Sequence, residues 1–425
     1  MTVPVAERYP FPLRLRDQLR TLASNEGVIH ANSEGELYGL APFTAIDLGT
    51  IEDHGAHRAA LEQLRASRVL GVEGPALSAP RIHAAFPFDP SIPTIGLLPA
   101  VQVTIVGDKG WATILGATIE EERERYQALI DRLSSHRDDG PFPSGPVKVV
   151  EQPDPEGYES MVSSAVALID DGVLAKVVLS RTVTVTAERE LNLALVLSTM
   201  AEREPSCTLF ALPVGSSRYI GASPELLLKL DQGKVTSHPL AGTIPLSTHD
   251  AAEVLSTSTK DLEEHRLVVI DIAERLADAV DDLNVPLTPT LVSLRTVAHL
   301  GTTISAKLDP TSRLDCIDLL ARIHPTPAIS GVPRRESRTL IDELEDSPRG
   351  LFGGAVGWVN GSGDGEWVLG IRGALIANDV AIVRAGAGIV AGSTPSGEAE
   401  ETRVKLSSIL DAIEPGSSSQ LKKVG

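Results

Sequence analysis

The chain has 425 residues, with 57 Asp and Glu against 38 Lys and Arg, for a formal net charge of −19. The 42% hydrophobic and 22% charged residues are the ordinary balance of a soluble globular protein with a sizeable core. The acidic excess excludes a nucleic-acid or anionic-membrane surface, which would need Lys and Arg, but leaves small anions open, since these need only a local pocket. The opening MTVPVAERYPFPLRLRDQLR carries no signal-type apolar core, and no apolar run approaches the roughly 20 residues that span a bilayer. Cys207 and Cys316 stand alone, without a second ligand at metal spacing. A disulfide framework and a thiolate zinc site are excluded, and a reducing cytoplasm is the natural home.

Residues 1–117 alternate strand-like runs, Gly96–Val106 and Trp111–Leu115 among them, with Pro- and Gly-rich turns. Thr118–Ser134 reads as a charged helix, capped by Thr118 with Glu121 three residues on. SHRDDGPFPSGP (Ser135–Pro146) marks a long surface connection and the one internal boundary. Beyond it, Tyr158–Asp170 is helix-like, and the β-branched Ala175–Thr186 predicts a strand. Ser206–Pro213, Arg218–Ala222 and Glu225–Leu230 predict three more strands. Lys260–Leu283 is the longest helical pattern, with Leu267, Val268, Ile270, Ile272 and Leu276 on its apolar side. Leu351–Val359, Glu366–Ala377 and Val380–Val390 read as strands, Ser396–Ile413 as a last helix, and Pro415–Gly425 as a frayed tail. Many hairpin-linked strands with few long helices predict an α+β fold of antiparallel sheets.

Two helical patterns carry acids at i and i+3: Asp261 and Glu264 in KDLEEH, and Glu398 and Glu401 in PSGEAEETRVKL. Each pair shares one helix face, so two such helices meeting would offer the hard oxygen ligands of a Mg²⁺ site. The helix dipole also favours acids in a first turn, so spacing alone leaves both readings open. Gly386-x-Gly388-x-x-Ala391 formally matches a dinucleotide fingerprint, but Ile389 and Val390 continue a strand where that fingerprint needs a helix to open. Bare backbone there would instead admit an anionic ligand, or simply pack against a helix.

Lys176, flanked by Ala175, Val177, Val178 and Leu179, is a candidate base if held from water. Glu225, opening an apolar strand, is a candidate acid kept protonated by desolvation. His299 and His324 sit among apolar residues, where a hydrogen-bonded core histidine is the default. Arg372, in WVLGIRGALI, needs an anionic partner, from the protein or from a substrate carboxylate.

In order, the segments KVVLSR (Lys176–Arg181), GASPELLL (Gly221–Leu228), PLAGT (Pro239–Thr243), KDLEEH (Lys260–His265), HPTPAISG (His324–Gly331), LFGGAVGW (Leu351–Trp358), EWVLGIRGA (Glu366–Ala374) and AGAGIVAGSTPSGEAEETRVKL (Ala385–Leu406) resemble the chorismate-utilising enzymes, and within them the isochorismate synthases. AFPFDP (Ala85–Pro90) resembles them too. The likeness is dense over 150–413 and thin over 1–149. It implies one large fold in which 1–149 is a divergent N-terminal part, 150–413 the chorismate-binding catalytic region and 414–425 a flexible tail. Antiparallel sheets would lie inside a shell of helices, with the site between them.

The resemblance implies Mg²⁺-dependent, reversible transfer of the chorismate hydroxyl from C4 to C2. Lys176 would be the base that activates water and Glu225 the acid for the departing hydroxyl. Glu264 and Glu401 would bind Mg²⁺, with Asp261 and Glu398 acting through metal-bound water. Asp261 departs from the Glu common at that position in the family. Arg372, Lys405 and the backbone of Gly386, Ala387 and Gly388 would hold substrate carboxylates. Gly242, Thr243 and His299 would line the ring pocket. Ala241 stands where aminodeoxychorismate synthases carry a nucleophilic Lys, and Ala328-Ile329 matches the apolar pair of isochorismate synthases rather than the Thr of the pyruvate-releasing lyases. A salicylate or anthranilate synthase of the same fold and a silent chorismate-binding protein are the alternatives. Neither a membrane, nor nucleic acid, nor an amidotransferase subunit is expected as partner, and the likeness implies a monomer. The product could feed menaquinone, siderophore or salicylate synthesis.

Overall fold

A computed structural model describes residues 5–66, 68–135 and 145–422. Strand pairing follows from the alternating apolar runs and builds two long ladders. The first runs through Val147–Gln152, Lys176–Ala187, Val380–Ile389, Gly373–Ala377, Ser217–Ser223 and Thr208–Val214. It continues into the N-terminal strands Val28–Asn32, Gly35–Gly49 and Thr94–Val106. The second runs through Arg81–Phe86, Ala355–Asn360, Gly365–Leu369, Leu226–Asp231, Lys234–His238 and Ile304–Lys307. All of these pairings are antiparallel, as the hairpin-like spacing predicts. A small third sheet joins Leu240–Pro245, Val297–Gly301 and Thr290–Ser293.

Helices cover the ladders and bury their apolar stripes against them. Pro395–Ile413 packs on Val380–Ile389 and on the helix Pro155–Asp170. Thr259–Leu276 packs on Leu240–Pro245 and on the helix Cys316–Ile323. Pro395–Ile413 also meets Leu240–Pro245, so one short strand lies against both acid-bearing helices. No helix among the described residues is long and apolar enough to cross a membrane.

Several boundaries differ from the sequence pattern. The long helix ends at Leu276; Asp281–Asn284 leaves it to pair with Ile304–Lys307, and Asp282 takes a left-handed φ of 50°. Its buried face uses Val269, while Ile270 is exposed. Glu366–Ala377 is two strands rather than one, and Leu351–Gly354 is a turn before the strand Ala355–Asn360. The tail expected to fray is packed as far as Leu421: Ser417–Gln420 form a 3₁₀ turn, Ser417 Oγ donates to Leu410 O (2.7 Å), and Leu421 is buried. Within the expected surface connection, residues 136–144 lie outside the described residues.

Candidate active site

The site forms where the chain changes ladders. Ser217–Ser223 belongs to the first ladder and Leu226–Asp231 to the second, so Pro224 and Glu225 make a corner. Gly365–Leu369 and Gly373–Ala377 change ladders in the opposite sense through Gly370–Arg372, where Arg372 takes a φ of 52°. That left-handed conformation strains a non-glycine residue and splits the expected single strand. The corners are tied together: Leu369 N donates to Glu225 O (3.0 Å), Ala222 N to Arg372 O (3.1 Å), and Ser223 Oγ to Leu369 O (2.6 Å). A cleft of about 650 Å³, partly open to solvent, lies beside them. Glu225, Thr243, Glu264, His299, Arg372 and Lys405 all line it.

Glu225 is almost fully buried, and its Oε1 has no hydrogen-bond partner. Burial pushes its carboxyl up to about 8, against the pull of Lys176, the Leu240 backbone and Lys405. It is therefore mainly protonated at neutral pH. Lys176 opens the strand Lys176–Ala187 with no exposed surface. Its Nζ lies 3.0 Å from Glu264 Oε1, an ion pair that falls short of an aligned hydrogen bond. A buried acid in its neutral form thus lines the cleft, while Lys176 lies behind the lining, near enough for its charge to act on Glu225.

The glycines make room for this pairing. In the ladder, Gly388 lies opposite Val178. A Cβ on Gly388 would stand 2.0 Å from Glu264 Oε1 and 3.1 Å from Lys176 Cε. Gly386 also lines the cleft, and its carbonyl accepts from Lys405 Nζ at 2.9 Å. Ala387 does not line the cleft; strand alternation turns its side chain to the opposite, buried face. Gly242 takes a φ of 74° at a bulge, and its N–H donates to Glu264 Oε2 (3.2 Å).

His299 is a cleft residue, whereas His324 is the core histidine expected, its Nε2 3.0 Å from Pro87 O. Arg372 Nη2 lies 3.4 Å from His299 Nε2, and a guanidinium can only donate. The imidazole must then accept at Nε2 and carry its proton on Nδ1, which meets Gly242 O at 3.3 Å and Thr243 Oγ1 at 3.1 Å. Burial, with the charges of Arg372 and Lys405, holds His299 well below its usual range and keeps it neutral. Ala328 and Ile329 form an apolar part of the wall.

The four acids proposed for a metal come from the two helices as expected, but each is held by a neighbour. Glu398 Oε1 accepts from Lys260 Nζ (2.6 Å), Glu401 Oε1 from Lys405 Nζ (2.6 Å), and Asp261 Oδ2 from Ser258 Oγ (2.5 Å). Burial and Glu401 push Glu398 up to about 7, against Lys260. Burial, together with Glu264 and Glu401, raises Asp261, while Ser258 and Lys260 oppose it. Burial also works to raise Glu264, but Lys176, Lys260 and Lys405 hold it below the usual carboxylate range. The acids therefore sense one another's charge. Among the described residues, no three of them bring ligand atoms within 4.8 Å of one another. Hard oxygen donors crowded enough to raise one another's affinity for protons fit a Mg²⁺ ion in chemistry.

Arg384 and Phe352 also line the cleft and went unsuspected. The alternation of Arg384, Gly386 and Gly388 along one strand was the signal that could have placed Arg384 there. Its guanidinium meets Glu345 Oε2 (3.2 Å) and Thr182 Oγ1 (3.0 Å). Lys260, the partner of Glu398, lay unused inside KDLEEH.

Known proteins resemble this chain in sequence and in fold. The profile of the family described as chorismate binding enzyme matches residues 57–414. Isochorismate synthase EntC of Escherichia coli (strain K12) is 34% identical over 343 residues, 79% of this chain and 81% of that protein. Isochorismate synthase DhbC of Bacillus subtilis (strain 168) is 38% identical over 274 residues, 61% of this chain and 68% of that protein. The solved structure of MenF, the menaquinone-specific isochorismate synthase from Escherichia coli, shares the fold at a TM-score of 0.79. It is 24% identical and covers 97% of this chain, with 96% of its own length matched.

Proposed function

The chain belongs to the chorismate-binding enzyme family, and from that premise we infer that it is an isochorismate synthase, an isomerase that interconverts chorismate and isochorismate. The observation that carries the chemistry is the opposed pair at the ladder corner: Glu225 held protonated up to about 8, and Lys176 fully buried within the reach of its charge. Water attacks C2 of the ring and gives its proton to the Lys176 amine. The ring double bonds shift, the C4–O bond breaks, and the departing hydroxyl takes the Glu225 proton and leaves as water. One water enters and one leaves, so the net change is isomerisation.

Charge supports the substrate assignment. With Glu225 protonated, His299 neutral and Lys176 in the free-amine form its role as base requires, Lys260, Lys405 and Arg372 face Asp261, Glu264, Glu401 and a Glu398 raised to about 7. A dianion entering with a dication leaves that balance undisturbed. Glu264 and Glu401 would hold Mg²⁺, with Asp261 and Glu398 behind them, and the ion would neutralise and orient a ring carboxylate. Arg372, Lys405 and the backbone at Gly386 and Gly388 take the carboxylates, while Gly242, Thr243 and His299 border the ring.

The apolar Ala241, Ala328 and Ile329 offer no nucleophile and no hydroxyl to assist loss of pyruvate. Water as nucleophile also requires no ammonia-delivering subunit, and we propose that the chain acts alone in the cytoplasm. Incubation with chorismate and Mg²⁺, followed by product analysis, tests the function. Isochorismate without matching pyruvate is expected; pyruvate as main product would instead identify a lyase of the same fold.

A further inference from the structure

A second cluster of ligand-type side chains lies outside the cleft. His54 and His57 occupy the first turn of the helix His54–Arg65, and Asp318 the first turn of Cys316–Ile323. Their ligand atoms all lie within 4.8 Å of one another, and among the described residues this is the one trio of His, Cys, Asp or Glu to do so. His54 Nδ1 stands 2.5 Å from Asp318 Oδ1. Asp318 is 4% exposed at its side chain and His54 is 57% exposed, so the cluster is anchored on one side and reachable from solvent on the other.

His57 supplies the second, independent observation. It has no exposed surface, and its Nε2 lies 3.0 Å from Thr50 O. A carbonyl can only accept, so Nε2 carries the hydrogen and the neutral ring leaves its lone pair on Nδ1. That Nδ1 is buried and has no hydrogen-bond partner. A buried imidazole fixed by a backbone carbonyl at one nitrogen and unpaired at the other has the outer-sphere arrangement of a metal ligand. The other Asp318 oxygen accepts from Asp315 N (3.1 Å), which fixes the carboxylate in the same way.

We propose that His54, His57 and Asp318 bind a borderline first-row divalent cation of the Zn²⁺ class. Two imidazoles and one carboxylate suit such an ion and leave a position for water, whereas Mg²⁺ prefers oxygen ligands alone. The ion would replace the proton between His54 and Asp318 and satisfy His57 Nδ1. It would join a helix from the N-terminal part to Cys316–Ile323, whose chain runs on through His324 into Ala328 and Ile329 of the cleft wall. The site is separate from the carboxylates assigned to Mg²⁺ and rests on none of them.

Titration of the full-length, tag-free protein with Co²⁺ in excess Mg²⁺ tests this. The wild type should take up a single equivalent with visible d–d absorption that Zn²⁺ bleaches and further Mg²⁺ does not. His54→Ala, on an exposed side chain, should weaken that uptake by about tenfold or more while isochorismate formation continues at the wild-type rate. His57→Gln should weaken it likewise. Absence of the bands in wild type, identical bands in His54→Ala, or bands erased by raising Mg²⁺ would each overturn the assignment.

Discussion

Of the acids on the two helices only Glu264 lines the cleft with Glu225, and the helix acids and the Glu225–Lys176 pair on the strands are treated differently by the fold. Glu398, Glu401 and Asp261 each have a partner at 2.5–2.6 Å, from Lys260, Lys405 and Ser258. Glu225 Oε1 and Lys176 Nζ, both buried, lack a well-formed hydrogen bond. Burying a polar group without a partner is costly, and native proteins keep few such groups. The helical region is thus a compensated charge bed, in which a donor holds each of these acids. The strand corner is a place where unsatisfied groups are held for use.

That contrast can be broken most sharply at the corner. Glu225→Gln and Lys176→Ala should each lower kcat by about 10²–10⁴-fold, measured as isochorismate formed from chorismate. Turnover at the wild-type rate in either variant would remove the roles assigned to them. Gly388→Ala should cost less, about 10²-fold in kcat/KM, because its methyl would intrude on Glu264 Oε1, 2.0 Å away, and so misplace Lys176. On the helices, Glu401→Ala should lose the response to Mg²⁺ over the range that saturates the wild type. A variant with an unchanged Mg²⁺ titration would dismantle the metal assignment without touching the acid–base pair.

The smallest effect is in pH. Deprotonation of Glu225 should bend kcat/KM downward above about pH 8. The same shift acts on stability. Folding raises the Glu225 carboxyl from its ordinary 4.5, so its contribution is complete below pH 4.5 and disappears as pH rises through about 8. Glu225→Gln should therefore melt above the wild type at pH 9 and near it at pH 5. Equal melting temperatures at both pH values would show that Glu225 is not desolvated as described.

Local pattern carried much of this architecture. Lys176–Ala187, Val380–Ile389 and Pro395–Ile413 lie within a residue or two of the predicted runs, because β-branched stretches and an N-terminal Pro act locally. The break at Gly370–Arg372 was hidden, since nothing in WVLGIRGALI announces a left-handed arginine; the turn is imposed by the change of ladder. The helix end at Leu276 was hidden for a similar reason, strand pairing of Asp281–Asn284 with a segment over twenty residues away. In the site, the residue types and their order were legible through the family resemblance. The lysines held against Glu398 and Glu264 were not, because a partner such as Lys260 for Glu398, 138 residues apart, is a product of packing. Ala387, named with Gly386 and Gly388 for its backbone, does not line the cleft as they do, because a strand shows alternate residues to opposite faces.

The interleaving of early and late strands governs how this molecule can be made. Val28–Asn32 pairs with Thr208–Val214, and Arg81–Phe86 with Ala355–Asn360. A nascent chain on the ribosome would therefore hold its first strands with exposed edges until partners hundreds of residues downstream emerge, a topology that folds slowly and invites aggregation meanwhile. Lys405 comes from the helix Pro395–Ile413, so the cleft it lines together with Glu225 is complete only once that helix has emerged, and a fragment stopping short of it would lack part of the cleft wall.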